Sequence, residues 1–565
     1  VRSEIVRVYK AVHTWTGIVA GMALFIAFYA GAITVFKEPL VRWATPPAAA
    51  ESAAQVVPLS EAHALVARTL ASQPAAAREL RLHLGLAAEP VERLEWEVRE
   101  EGADEHDRLS SRHFTATLGD DGTVHAHEVE RSHLGELIDV LHRVVGLPVD
   151  VDETRIVMGV IAALYFLALV SGFIVLLPSL VKDFFALRVG PNLKRMWLDA
   201  HNVVGIGSFP FHVVMALTAA VFAFHDGIYV VQDRMIHDGK LGAIFQGRRG
   251  SSEGDPRDPA TMVPPDEIVA RVTELAPSFE PTMLQYVNAT GPKAMVRVWG
   301  HDTRALEHRA LGGFALVDPY SGRVVSTEYL PGRQSAAATV LTSIFALHFA
   351  TYGGQPVKWI YFALGLLGAW LFFSGNLLWI ESRRRKAKKR VANGAIPVQR
   401  RDVRLMAAAT VGVCLGAVCG ISLTIVAAKW LHGHVADLNA WHRIVHYVAF
   451  FAAVGWAFFR GAARASVDLL RAAAATTLAI PLTTLLAALV PSLGMWARTE
   501  PGALGVDVTA LVLGLVFAGM ARSAARRVQE GPADSPWSAH APPDPEPVAV
   551  TEPAVEAELH GEHAG

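Results

Sequence analysis

The sequence predicts a polytopic α-helical membrane protein of about eight spans, carrying two small α/β domains on one side of the bilayer. Three observations predict it. The chain has 565 residues, 52% of them hydrophobic and only 18% charged, where average soluble domains carry about 25% charged residues. Mean hydropathy is +0.31. The apolar residues gather into runs near the roughly 20 residues that cross a bilayer as a helix, and the short basic loops fall on one side of the spans these runs define.

The first set of runs covers 14–36, 156–180, 202–224 and 357–380, and His212 is the one ionisable residue in their interiors. A second set covers 405–428, 443–460, 472–490 and 503–521; the last contains Asp507 near its start. The opening VRSEIVRVYK leads into an apolar run longer than a signal-peptide core, so it reads as a retained first helix. Arg2, Arg7, Lys10, Lys182, Arg188, Lys194, Arg195 and the Arg383–Arg390 cluster lie on one face of the eight-span arrangement. That places both termini in the cytoplasm and residues 38–150 and 226–345 on the far side.

The two outer segments follow one plan. In the first, a helical pattern at 59–72 precedes alternating runs at Leu80–Leu84, Leu94–Val98, His113–Leu118 and Val124–Val129, with a turn at Gly119–Gly122. In the second, a helix at Asp266–Leu275 precedes strands near Leu284–Asn288, Ala294–Trp299, Phe314–Val317 and Val324–Tyr329. The expected organisation is a first span in 1–40, an outer domain in 41–150, two spans in 151–225 and a second outer domain in 226–345. A fourth span in 346–395, a four-helix extension in 396–530 and a disordered tail in 531–565 complete it.

Composition also excludes. A net charge of −2 argues against nucleic-acid binding through a globally basic surface. The two cysteines, Cys414 and Cys419, share one apolar run and provide no disulfide framework or Cys-rich metal site. The spans hold no central carboxylate of the kind ion-coupled transporters use.

Histidine is the unusual residue, with 23 in the chain. Tyr9-Lys-Ala-Val-His13, followed by Gly17 and a span, matches Trp197-Leu-Asp-Ala-His201, followed by Gly205 and a span. Val140-Leu-His142 before the second span matches Ala346-Leu-His348 before the fourth. Repeats of one orientation are related by a pseudo-two-fold axis along the membrane normal. That axis sets His13 against His201 near one face and His142 against His348 near the other. Opposed neutral histidines on bundle helices are the ligand set of a bis-imidazole haem. Two such pairs make a candidate electron path across the bilayer.

His212, two residues after Pro210, is an alternative ligand or a partner for backbone groups freed by the proline. His225 is a weaker candidate. His442 and His446, spaced i and i+4, with His432 and His434 nearby, form a metal or third haem site or an interfacial cluster. The soluble histidines His63, His83, His125 and His127 read as surface residues. Gly412-x-x-x-Gly416-x-x-x-Gly420 suits close helix packing.

The sequence resembles the PepSY-associated transmembrane family, which includes bacterial iron-regulated membrane proteins and siderophore reductases. The resemblance rests on His13-Thr-Trp-Thr-Gly17, Leu141-His142-Arg143, His201-Asn-Val-Val-Gly205, Ser208-Phe-Pro-Phe-His212, the Asp318-Pro-Tyr-Ser-Gly-Arg-Val hairpin and Ala346-Leu-His348, across about residues 1–390. It implies two periplasmic PepSY domains over a four-helix core built as two parallel helix–PepSY–helix repeats. For reductase members it implies two b-type haems that pass electrons to ferric siderophores. The expected function is then a haem-dependent inner-membrane oxidoreductase acting on a periplasmic ferric chelate, with a cytoplasmic or quinol donor. Two rivals remain: a non-enzymatic sensor or protease-regulating protein, and an iron or copper transport subunit.

Overall fold

The computed structural model describes residues 3–47, 61–84, 93–98, 111–119, 121–129, 131–148, 152–181, 188, 193–236, 256–307, 309, 311–390 and 399–540. Among them, seven helices are long and apolar enough to cross a membrane, and eight if one bent pair counts as a single span. They are α1 (Ser3–Thr34), α5 (Asp152–Leu176), the pair α6 (Leu193–Gly207) and α7 (Phe209–Ile236), α10 (Gly354–Arg390), α11 (Arg401–Trp430), α12 (Leu438–Arg460), α13 (Ala462–Leu489) and α14 (Pro501–Glu530). The third span is not one straight helix. It bends by 67° at Ser208, where Pro210 has no amide hydrogen for the ladder.

Shorter helices frame these spans: α2 (Lys37–Ala44), α3 (Ala62–Ser72), α4 (Leu134–Arg143), α8 (Pro265–Leu275) and α9 (Ala336–Phe349). The strands are β1 (Glu79–His83), β2 (Leu94–Val98), β3 (Arg112–Leu118), β4 (Val124–Val129), β5 (Glu280–Val287), β6 (Met295–His301), β7 (Gly313–Val317) and β8 (Val324–Tyr329).

The α/β segments differ from the expectation of two small separate domains. Their strands form one eight-stranded sheet in the order β4-β3-β2-β1-β5-β6-β7-β8, antiparallel throughout. The joint is β1 on β5, with Leu80 opposite Tyr286, Arg81 opposite Gln285 and Leu82 opposite Leu284. This reciprocal register is what a two-fold axis through Arg81 and Gln285 produces. One core runs beneath the whole sheet, joining Leu65, Leu80, Leu82 and Trp96 to Ile268, Val272, Leu284 and Val298. Each fully buried leucine contributes roughly 1.5–3 kcal/mol. Parting β1 from β5 would expose Leu80, Leu82 and Leu284 together, so the two segments are held as one body.

The repeat reaches the loops. Asp318 accepts hydrogen bonds from the Tyr320 and Ser321 amides, and Gly322 takes a positive φ of 66°. Arg271 of α8 then donates to the Ser321 carbonyl, and in the first half Arg68 of α3 donates to the Gly122 carbonyl.

In the membrane, α1 packs on α5 and α10, and α5 on α7. Helix α11 joins the extension to this core, packing on α10, α12 and α13, while α14 packs on α13 and touches α2. Phe25, Tyr29, Leu137 and Leu141 share an apolar cluster with Val418, Ile421 and Ile425 of α11. The tail differs from expectation in its first ten residues. Asp534 pairs with Arg384 at 2.9 Å, its carbonyl accepts from Gln399, and Ser538 bonds the Gly531 carbonyl. Residues 541–565 of the expected disordered tail lie outside the described residues.

Candidate functional site

Two of the four repeat histidines sit inside long helices and two in the last turns of short ones. His13 lies on α1 and His201 on α6, and their ring centroids are 6.4 Å apart with planes at 72°. His142 closes α4, whose stop is built from Val145 and Gly146 at positive φ; His348 closes α9, which ends at left-handed Ala350. The centroids of this second pair are 6.1 Å apart, with planes at 35°. The two pairs expected from the repeat are therefore both brought together.

All four rings are held through Nδ1. His13 Nδ1–H donates to the Ala168 carbonyl at 2.8 Å, and His142 Nδ1–H to the Ala27 carbonyl at 2.8 Å. His201 Nδ1 meets Ser374 Oγ at 2.9 Å, and His348 Nδ1 meets Thr218 Oγ1 at 2.8 Å. Ser374 gives its own proton to the Leu371 carbonyl, and Thr218 gives its proton to Val214. Both hydroxyls therefore accept from the imidazoles. Each ring is the Nδ1–H tautomer, and its Nε2 lone pair is left for a ligand.

The spacing fits one metal between each pair. Two imidazoles bound in line through bonds of about 2.0–2.1 Å place their centroids roughly 6.3–6.5 Å apart. The observed separations fall within a few tenths of an ångström of that. Among the described residues no group of three or more His, Cys, Asp or Glu side chains converges. Two facing imidazoles would suit a metal that brings its remaining donors with it, as in haem, and not a bare ion that takes all its ligands from protein.

Small residues make room for the rings. A Cβ at Gly31 would lie 2.7 Å from His142 Nδ1, and one at Gly172 would lie 2.9 Å from His13 Nδ1. Ser171-Gly172 on α5 and Ser374-Gly375 on α10 stand at equivalent places in the two repeats. The sequence reading missed this pair, although it was visible as a dipeptide repeated at 15 and 17 residues into the runs 156–180 and 357–380. Gly31 lies eighteen residues after His13 on α1, about 27 Å along the helix axis. The pairs therefore sit at opposite ends of the helical core.

His212 stands apart from both. It is buried on α7, and among the described residues no imidazole ring packs against it. Its Nδ1 is 2.6 Å from the Tyr165 hydroxyl, while Nε2 has no partner among the described residues. Phe28, Phe211 and Tyr165 enclose it, and Phe372 packs on Phe28 and Tyr165. This apolar plug lies between the two levels. The side chain of His225 lies outside the described residues.

The remaining histidines separate. His442 and His446 are buried at the start of α12, and the His446 ring rests where Gly420 lacks a side chain. His434 is exposed and bonds the His432 carbonyl, and His432 packs on Trp496. These four do not converge on one point. His83, expected at the surface, is instead partly buried and pairs with Glu95 at 3.2 Å. Sequence reading passed over His113 and His133, whose Nε2 atoms are 3.1 Å apart. Burial pushes His113 below the ordinary imidazole range.

Another cluster carried only a partial signal, Asp507. Lys429 is fully buried at the end of α11, its Nζ 3.8 Å from the centroid of Trp43 and 3.1 Å from the Trp496 carbonyl. Trp43 Nε1 and Thr484 Oγ1 donate to Asp507. These contacts pin the extension to α2.

A family model described as PepSY-associated TM region matches residues 11–382, which takes in all four paired histidines and stops before α11. No curated protein matches the chain.

Proposed function

Because the chain belongs to the PepSY-associated TM family, we propose that it is a haem-dependent reductase of the bacterial inner membrane, passing electrons outward to a periplasmic ferric chelate of the siderophore type. His13 and His201 would hold the inner of two b-type haems, and His142 and His348 would hold the outer. Both termini are cytoplasmic, the eight-stranded sheet is periplasmic, and the donor is a cytoplasmic reductant or a membrane quinol.

One observation carries this reading: two opposed imidazole pairs at single-metal spacing, each ring tied through Nδ1. Bound haem supplies a one-electron carrier, and one electron delivered to a chelated Fe³⁺ loosens its grip on hard oxygen ligands. The protein does the rest. Ala168, Ala27, Ser374 and Thr218 fix ring orientation and make Nε2 a better donor, as outer-shell partners of metal-bound histidine do. Phe222 stands edge-on to His348 at 4.9 Å, with Phe349 beside it, and these rings form an apolar wall on one side of the outer pair. Phe28, Tyr165 and Phe372 close the path between the levels to water.

Absorption spectra of detergent-purified protein, oxidised and dithionite-reduced, test the reading. A sharp reduced α-band is expected, and it should collapse when a ferric hydroxamate is added while a ferrous indicator develops colour. A colourless protein overturns the haem assignment and returns the sensor or protease-regulating reading. A reduced band that persists beside the chelate overturns the substrate.

A further inference from the structure

The extension carries a second feature that the histidine pairs leave unused. A cavity of about 650 Å³ opens between α13 and α14, lined by Arg471 of the first helix and Arg522 and Arg526 of the second. Its floor is alanine, with Ala474, Ala518 and Ala521 among the lining residues. We propose that this groove binds the phosphate head group of an anionic phospholipid.

Charge carries the argument first. Arg522 and Arg526 are four residues apart and share a helix face, and Arg471 meets them from the neighbouring helix. Among the described residues no carboxylate pairs with any of the three. Four acids at this end of the bundle are engaged elsewhere, and Glu530, exposed one turn past Arg526, lies outside the groove lining. Glu381 takes Arg384 and Arg385, Asp534 takes Arg384, Asp402 takes Arg400, and Asp468 takes Trp456 and Arg460. Three guanidiniums around one groove repel each other unless an anion lies among them. Guanidinium matches phosphate oxygens in paired hydrogen bonds.

Depth and floor select the lipid. Arg471 lies nine residues into α13 from Ala462, about 14 Å along its axis. Arg522 follows directly on the apolar stretch 503–521 of α14. The groove is thus at the level where a span leaves hydrocarbon, on the same end as the basic cluster 383–390. Basic pockets between membrane helices at this level hold anionic lipid head groups. The alanine floor leaves space for glycerol and the first acyl carbons. A zwitterionic head group would find no carboxylate among the lining residues for its ammonium, so net anionic lipids are preferred. This inference is independent of the haem reading.

The test is native mass spectrometry of the delipidated full chain in detergent, titrated with phosphatidylglycerol, phosphatidylcholine or inorganic phosphate. The wild-type protein should retain phosphatidylglycerol in preference to phosphatidylcholine, and millimolar phosphate should not displace it. The triple variant R471Q/R522Q/R526Q should bind phosphatidylglycerol on the order of 100-fold more weakly, and R522Q or R526Q alone about fivefold more weakly. The single variants serve if the triple variant does not fold. Lys386→Gln with Lys388→Gln and Lys389→Gln, which removes the same number of charges outside the groove lining, should leave the preference for phosphatidylglycerol over phosphatidylcholine unchanged. Equal retention by the arginine variants, equal binding of phosphatidylcholine, displacement by phosphate, or equal loss in the lysine variant overturns the proposal.

Discussion

Gly31→Ala is the substitution that presses hardest on the outer histidine pair while leaving its helix intact. The added Cβ would lie 2.7 Å from His142 Nδ1 and 2.9 Å from Cε1. Comfortable contact begins near about 3.5 Å, so the ring must withdraw by roughly 0.8 Å. It cannot do so without stretching its 2.8 Å bond to Ala27 and changing its distance to His348. Overpacking of this kind costs about 1–3 kcal/mol, whereas alanine itself favours a helix over glycine by about 1 kcal/mol. The fault is therefore confined to the ring. The expected outcome is faster haem loss to excess apomyoglobin from one of two sites, by roughly 5- to 150-fold, with that site's low-spin electron paramagnetic resonance signal shifted. Gly172→Ala, whose Cβ would lie 2.9 Å from His13 Nδ1, does the same to the other site. Gly455→Ala, on α12 with nothing within 4 Å, changes neither. Haem loss in Gly31→Ala and Gly172→Ala no faster than in Gly455→Ala would refute the reasoning.

Ser374→Ala leaves the His201 Nδ1–H without an acceptor inside the membrane, a loss of about 1–3 kcal/mol; redox titration should show one haem potential moved and the other unchanged, and two unchanged potentials would count against it. Tyr165→Phe removes the partner of His212 Nδ1 and should lower the melting temperature while two haems remain, whereas loss of one haem would make His212 a ligand. Burial keeps His113 neutral in the folded sheet below its ordinary value of 6.5, with nearby Arg131 and His133 acting the same way and Glu97 opposing them. The unfolded chain takes up a proton first as pH falls, so sheet stability should drop below about pH 6.5, by on the order of 1 kcal/mol per pH unit. Hydrogen exchange of the β2–β3–β4 amides at pH 7.5 and 5 reads this, and His113→Gln should flatten the slope; the same slope in that variant would exclude His113 as its source.

The histidine pairing was legible because a repeat constrains geometry that a single site does not. Once His13 and His201, and His142 and His348, hold equivalent places in two units of one orientation, an axis between the units brings each pair together. Strands Leu94–Val98, Val124–Val129 and Val324–Tyr329 were equally plain, since alternation bounded by turns is a local signal. What was hidden depends on distant residues. Leu80 and Leu82 alternate in the same way whether β1 ends its sheet or pairs with β5 more than 200 residues later, so the joined sheet carried no local mark. The partners of His201 and His348 come from Ser374 and Thr218, more than 100 residues away in each case. Nothing next to Lys429 in the chain marks it as buried, because Trp43 and Trp496, which close over it, are distant in sequence. The start of the tail read as disordered because its polar composition concealed the Asp534–Arg384 pair.

The most direct measurement is haem stoichiometry by pyridine haemochrome assay on purified wild-type protein, His13→Ala and His348→Ala. Two b-type haems per chain in the wild type and one in each variant is the predicted result. A wild-type protein with none, or two haems surviving in both variants, would contradict the assignment of the paired imidazoles.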